Sequence, residues 1–370
     1  MEQQRAVGAT RWLLFASHVP ADGGGGGMVR YTVELARALG RQSGVELHAL
    51  VDREALEGLS QIMEIDRDRM HPTSGGVVLS SLKERLGRVV PGLDSFDVIH
   101  GTKHILPRAS AGLRVLTIHD FLPIDRPRDF TLAKRALLPR PYLASVRDAD
   151  LLVCVSEATK RRLVELVPAA APRASVVHLA LSDDLLDAKP LAVAGLVGRR
   201  FALVVGDPSP RKNIRFLTQL WPAVRAQVPD LVLAIAGPAG WGVLEGLTEV
   251  EELAARDAAV LLGRISDREL RWAYENAAVV LAPSRLEGFG LPAFEAVTFG
   301  AALITSPDPA LAEACGGRAE VVSLSDPWGW VSAISRVVDA PRTSPAASSP
   351  RRWSDVAAET VAAVRRGRNV

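Results

Sequence analysis

Along most of the chain, short β-branched and leucine-rich runs alternate with stretches whose apolar residues recur at helical spacing. That alternation predicts parallel α/β architecture, in which each strand returns through a helix. In the first half, strands are expected at residues 11–17, 45–51, 98–100, 115–119, 151–155 and 175–178, with helices at 28–41 and 156–165. The second half repeats the theme, with strands at 201–205, 231–236, 259–261, 279–282, 302–305 and 320–322. Its helices are expected at 213–227, 267–276, 292–299 and 328–338. Several of these strands are apolar throughout, as strands buried on both faces are.

The repeat divides the chain into two doubly wound α/β domains in series, 1–185 and 186–350. The pattern weakens at 183–200, the expected linker. A second break, DAPRTSPAASSP at 339–350, is loop-like in composition. The final segment, 351–370, is expected to be helical over 351–368 and to return to the first domain. Residues 53–96 carry many charges and little periodicity, so irregular structure is expected there.

Composition then narrows the classes. A chain of 370 residues exceeds what one core usually serves, in keeping with two domains. A formal net charge of +2 gives no basis for nucleic-acid binding. The two cysteines, Cys154 and Cys315, lie far apart, so a reducing cytoplasm is expected rather than a disulfide framework. No apolar run reaches the roughly 18 residues of a membrane span, and the N-terminal residues lack a signal-peptide layout. The expectation is a soluble, cytoplasmic protein.

Four constellations carry candidate chemistry. Asp22 and the five glycines 23–27 lie between a strand and a helix. Glycines let backbone approach a ligand, and the helix start favours an anion such as a diphosphate. The plain alternative is a flexible turn. A dinucleotide site is a rival here, with Asp52 as its acidic residue after the second strand. Next, Arg211 and Lys212 follow a strand and open a helix. Two cations there oppose the helix dipole, a cost that an anionic ligand would offset. The third, Pro283–Glu295 in PSRLEGFGLPAFE, sets Glu287 in a glycine-containing loop and Glu295 about one turn into the following helix. Carboxylates accept from sugar and ribose hydroxyls, and the Gly288 and Gly290 amides suit a sugar or phosphate. Last, His119 in TIHD ends a strand of the first domain, either reaching a cleft or simply packed.

Together these motifs resemble family 4 of the retaining glycosyltransferases. The likeness runs nearly full length, through GGGGGMVRYTVELARAL, TIHDFLPIDRP, DADLLVCVSEATKRRL, VVGDPSPRKN, LAIAGPAG, LLGRISDRELRWAYENA, PSRLEGFGLPAFEAVTFG and RRWSDVAAETVAAV. It implies two Rossmann-like domains facing each other across a cleft, the GT-B architecture, with cleft closure during the reaction. It also implies a role for each matched residue. Gly24, Gly25 and Gly26 would lie beside the donor's phosphates, and Arg211 and Lys212 would bind the diphosphate. Glu287 would bond the transferred sugar, with Gly288, Phe289 and Gly290 lining the sugar–phosphate junction. Glu295 would accept from the ribose, and Arg264 and Ile265 would flank the nucleobase. His119 would sit near sugar and acceptor, making His119, Lys212 and Glu287 the catalytic set. Ser156 and Glu157 mark a helix start near the cleft. One departure stands out: some members carry an arginine where this chain has Asp207, which throws the phosphate load on Arg211 and Lys212.

The reaction implied is transfer of a mannose-like hexose from a nucleoside-diphosphate sugar to a glycan or lipid-linked acceptor, with retention. No cofactor is expected, and no metal, since Asp183 and Asp184 belong to the solvated linker and cations serve the leaving group instead. Peripheral contact with anionic lipid is a further possibility for 121–142, which mixes apolar residues with Arg126, Arg128, Lys134, Arg135 and Arg140. The rivals are a non-catalytic sugar-nucleotide binder, another reaction in the same fold, and a nicotinamide oxidoreductase, which leaves PRKN and EGFGLPAFE without a role.

Overall fold

The computed structural model describes residues 8–73, 85, 92–108, 110–237, 247–340 and 350–368. Met1–Phe121, Ala136–Ala180 and Arg352–Val370 form one unit; Leu122–Arg135 and Leu181–Arg351 form the second. In the first unit the strands are β1 (Thr10–Phe15), β2 (Val45–Asp52), β3 (Met70–Thr73), β4 (Val98–Gly101), β5 (Leu113–Ile118), β6 (Leu151–Cys154) and β7 (Ala174–Val176). They pair in parallel in the order β3-β2-β1-β4-β5-β6-β7. In the second unit β8 (Arg200–Val205), β9 (Leu231–Ala236), β10 (Ala259–Gly263), β11 (Val279–Ala282), β12 (Leu303–Thr305) and β13 (Glu320–Val321) pair in parallel as β10-β9-β8-β11-β12-β13. Each order reverses once, between β1 and β4 and between β8 and β11. Open α/β sheets bind ligands beyond the strand carboxyl ends at such a reversal.

The apolar strand runs are buried as their composition requires. All six residues of β9 are buried, and Trp12, Leu13, Leu14 and Phe15 of β1 are at most 3% exposed. The terminal helix Trp353–Arg368 lies in the first unit, against the Gly27–Gly40 helix and strands β5 and β6. Its Trp353 indole meets the Tyr31 ring edge-on at 5.6 Å.

Two expectations need correction. Residues 53–96 are not simply irregular: they hold a 3-10 turn at Arg53–Ala55, a helix at Leu56–Met63 and edge strand β3. The strand, MHPT, carries a proline and a histidine and pairs on one side only, where a missing N–H is tolerated. Nor is 183–200 a solvated linker. Ser182 caps a short helix, Asp183–Asp187, by accepting from Leu185 N–H at 3.1 Å, and Leu185, Leu186, Val193 and Leu196 join the core of the second unit. The segment's buried leucines come from this five-residue helix and from a 3-10 turn at Ala194–Leu196, both too short for a steady period. Asp183 and Asp184 fall in the helix's first turn, where carboxylates complement the dipole. The 339–350 break lies mostly outside the described residues, as do 238–240 of LAIAGPAG and 74–84 and 86–91 of the charged segment.

Trp353 is 2% exposed and Leu132 is 79% exposed. Trp353→Ala is expected to cost about 3–5 kcal/mol in urea unfolding, and Leu132→Ala less than about 0.5 kcal/mol. Equal, small losses would mean that the terminal helix adds nothing to the first unit's core.

Candidate active site

The second unit's site grows from the turn after β8. Gly206 (φ +148°) lies under Lys212, and a Cβ there would stand 3.0 Å from Lys212 Cε. Asp207 is buried and accepts from the Ser209 N–H at 3.2 Å and from the Ser209 hydroxyl. The residue that departs from the family pattern thus shapes the turn. Lys212 N–H returns to Ser209 O at 3.0 Å. Asn213, in the left-handed region (φ 56°), leads into the Ile214–Gln227 helix, and its amide donates to Pro283 O at 3.2 Å. Asparagine tolerates that conformation better than most side chains.

The loop after β11 supplies the partner. Glu287 Oε1 accepts from Lys212 Nζ at 2.6 Å and from Ser284 Oγ at 2.7 Å, and Oε2 accepts from an Arg211 guanidinium nitrogen at 3.0 Å. The side chains of Lys212 and Glu287 are only 9% and 7% exposed. Burial pushes the Glu287 carboxyl up, but the Lys212 and Arg211 charges outweigh it and hold the pKa at about 2. The cations therefore have an internal counterion. They also precede the helix, which starts at Ile214, so an external anion is not needed to offset a dipole cost.

Backbone contacts hold this loop from two sides. Arg285 N–H donates to Arg211 O at 2.7 Å, and Ser306 Oγ donates to Ser284 O at 2.5 Å. Asp308 caps the Pro309–Cys315 helix through Oδ1 while Oδ2 accepts from Glu287 N–H at 3.2 Å. Gly290, in the left-handed region that favours glycine (φ +92°), turns the chain into the Leu291–Thr298 helix, and a Cβ there would press on Leu311 Cδ2 at 2.7 Å. Lys212, Ser284, Glu287, Gly290 and Leu311 line one small cavity.

The other candidates lie around this centre. Gly288 is half-buried, and Phe289 is buried against Phe294 at 5.5 Å. Glu295 is 2% exposed and accepts from the Tyr274 hydroxyl at 2.7 Å. Exposed Arg264 and half-buried Ile265 follow Gly263 at the end of β10, before Ser266 and Glu269 form a capping box. Sequence reasoning gave no role to Ser284, Asp308 or Tyr274. An Asp-Pro pair at a helix start was the available signal for Asp308.

In the first unit, His119 follows β5 and is 8% exposed. Its Nε2 lies 2.9 Å from Thr102 O. A carbonyl only accepts, so Nε2 carries the hydrogen and the neutral ring offers its Nδ1 lone pair. Burial lowers the ring's pKa to about 4, against the Thr102 carbonyl and aided by Lys103. Tyr31 packs edge-on at 4.7 Å. Its hydroxyl meets Thr117 Oγ1 at 2.9 Å, which meets His100 Nε2 at 2.8 Å. Burial also lowers His18, His100 and His104, the latter two to about 3. These three histidines were missed, although each follows or ends a strand in HVP and HGTKH.

The glycine loop runs from Asp22, whose carboxylate accepts from Gly24 N–H at 2.9 Å. Gly25 and Gly26 are exposed, and no side chain caps the helix that Gly26 leads. Ser156 caps the Glu157–Leu166 helix by accepting from Thr159 N–H at 3.0 Å, and Asp52 accepts from Glu54 N–H at 3.0 Å. Both side chains thus hold local turns. Cys154 and Cys315 are free and buried, their thiols pushed up to about 12 and about 11 by burial.

A carboxylate held below its ordinary 4.5 adds stability fully above that value and loses it as pH falls toward about 2. The span corresponds to about 3 kcal/mol. In urea unfolding, Glu287→Gln should be less stable than the wild type at about pH 6, with the gap closing toward about pH 3. A gap independent of pH would mean that the carboxylate charge is not what the variant lost.

A model described as glycosyl transferases group 1 matches residues 194–340, and one described as Glycosyltransferase Family 4 matches residues 25–185. The chain is 28% identical over 249 residues to the O-antigen chain mannosyltransferase B of Escherichia coli, covering 64% of this chain and 63% of that protein. It is 28% identical over 305 residues to an MMP alpha-(1->4)-mannosyltransferase of Mycolicibacterium hassiacum, covering 75% and 72%. The solved structure of HepE from Anabaena in complex with UDP and glucose matches with TM-score 0.63 and 15% identity, over 96% of this chain and 95% of that one. That likeness establishes the fold, two Rossmann-like units of the GT-B class. With one family model on each unit and mannosyltransferase relatives, the chain belongs to the group 1, family 4 type of glycosyltransferases.

Proposed function

We propose that this chain moves a hexosyl group, mannose-like, from a nucleoside-diphosphate sugar to a glycan or lipid-linked acceptor with retention of configuration. The carrying observation is the Arg211–Lys212–Glu287 cluster at the order reversal of the second unit's sheet. A diphosphate leaving group gains negative charge as the sugar takes on oxocarbenium character. Lys212 and Arg211 neutralise that charge, and the Gly288, Phe289 and Gly290 amides donate to it. The anomeric carbon–phosphate oxygen bond breaks as the acceptor oxygen bonds on the same face, and its proton passes to the departing phosphate. Glu287 accepts from the sugar's hydroxyls and Glu295 from the ribose. Arg264 and Ile265 flank the base, and the glycine loop with Gly24, Gly25 and Gly26 lies beside the phosphates. His119 meets the sugar or acceptor through Nδ1. The mannosyltransferase names of the relatives support the sugar, and the bound UDP of HepE supports a nucleotide donor.

A panel of UDP, GDP, ADP, dTDP and CDP, with NAD as control, tests the donor reading by thermal shift. One nucleoside diphosphate at about 100 times its Kd should add about 2.7 kcal/mol. Lys212→Ala should abolish that shift and lower turnover by about a hundredfold or more, while excess EDTA leaves wild-type turnover intact. A shift with NAD alone would overturn the assignment in favour of a nicotinamide enzyme; binding without transfer or hydrolysis would favour a non-catalytic binder.

No helix among the described residues is long and apolar enough to cross a membrane. The short helix Leu132–Leu137 instead exposes Leu132 (79%) and Leu137 (61%) beside Lys134 and Arg135, with exposed Arg128 and Arg140 flanking it. Apolar side chains among cations fit an anionic lipid surface, which we assign to the lipid-linked acceptor's membrane. Flotation with anionic vesicles should show salt-sensitive binding that Leu132→Ser with Leu137→Ser weakens. No binding would remove the membrane from the picture.

A further inference from the structure

Glu287 holds the same two cations that a donor's diphosphate must reach. Its two oxygens take Lys212 Nζ at 2.6 Å and the Arg211 guanidinium at 3.0 Å, and Ser284 adds a third donor at 2.7 Å. The Glu287 side chain is only 7% exposed, and the loop that carries it is braced. Asp308 holds its backbone N–H and Ser306 holds the Ser284 carbonyl. A buried charge stripped of its partners is costly unless something replaces them.

Two ligands differ in whether they provide the replacement. A sugar-bearing donor brings phosphates for Arg211 and Lys212 and hydroxyl donors for Glu287. A spent nucleoside diphosphate brings only the phosphates, and leaves the carboxylate buried without its cations. We propose that Glu287 is therefore a specificity-determining residue. It makes the site prefer the sugar-bearing donor over its own nucleoside diphosphate product, because the product leaves a buried carboxylate with the Ser284 hydroxyl but without its cations. Discrimination arises from a penalty on the wrong ligand as much as from contacts with the right one. The same penalty speeds product release. The inference rests on the donor-site reading above.

Isothermal titration with the nucleoside diphosphate that shifts the wild type most, and with the matching diphosphohexose, tests it in the full chain. The wild type should bind the diphosphohexose more tightly. Glu287→Gln removes the charge at nearly constant shape; it should bind the nucleoside diphosphate about tenfold more tightly than the wild type and the diphosphohexose more weakly, erasing or inverting the preference. Glu287→Asp, which keeps the charge, should keep the preference, and thermal unfolding checks that both variants are folded. In turnover, Glu287→Gln should be inhibited by product at lower concentration. Equal weakening of both ligands in Glu287→Gln would overturn the inference and leave the carboxylate as a mere brace for the cations, with the donor site intact. Binding of neither a nucleoside diphosphate nor a diphosphohexose to the wild type would overturn the donor reading, and the inference with it.

Discussion

A parallel sheet forces all its strands to finish along one edge, and most of what is chemically interesting in this chain follows from that. At the point where strand order reverses, the connections on either side leave toward opposite faces, and the edge between them stays open. In the second unit the reversal falls between β8 and β11, and the turns leaving those strands carry Lys212 and Glu287. In the first it falls between β1 and β4, whose following segments bring His18, Thr102, Lys103 and His104 toward His119. The strands beneath are apolar and buried, and their rigidity is what lets short polar loops hold a fixed geometry.

Within the second unit, three ionised groups sit where water is scarce, and each is tolerable only because of the others. Lys212 and Arg211 stabilise a carboxylate whose pKa burial alone would raise. The carboxylate in turn keeps two cations from facing each other unscreened. Asp207 sharpens the arrangement. Folded into the turn by Ser209, it leaves Arg211 and Lys212 as the cations that the β8 turn contributes. The loop that bears Glu287 is braced on one side by the turn after β8 and on the other by Asp308 and Ser306, so the cluster behaves as one object.

Much of this was legible in the chain. β-Branched and leucine-rich runs located twelve of the strands to within a residue or two, because both-face burial leaves a strong compositional trace. Arg211 and Lys212 stood out as two cations at a helix start, and Glu287 as a carboxylate in a glycine-containing loop. Their mutual contact did not, because a pairing across some 75 residues has no local signature. β3 escaped because an edge strand needs only one partner and can accept polar residues and a proline. Leu185, Leu186 and Leu196 escaped because a five-residue helix and a three-residue 3-10 turn are too short to show a period. The histidines were visible one at a time, but only the topology gathers them. Asp308 resembles any helix cap until its second oxygen is found on Glu287 N–H.

The first unit is discontinuous in the chain, and this orders events during synthesis. All of the second unit lies before Arg352, whereas the first unit takes its last helix from Arg352–Val370. The ribosome therefore releases a complete second unit while the groove beside Tyr31 and strands β5 and β6 still lacks Trp353, Val356 and Ala357. Until that helix arrives, the Tyr31 ring and the apolar face around it stand open to solvent, a nascent surface of the kind chaperones recognise. The helix made after the second unit thus closes the core that supports the histidine cluster, and synthesis halted before Arg352 yields a finished second unit attached to an unfinished first.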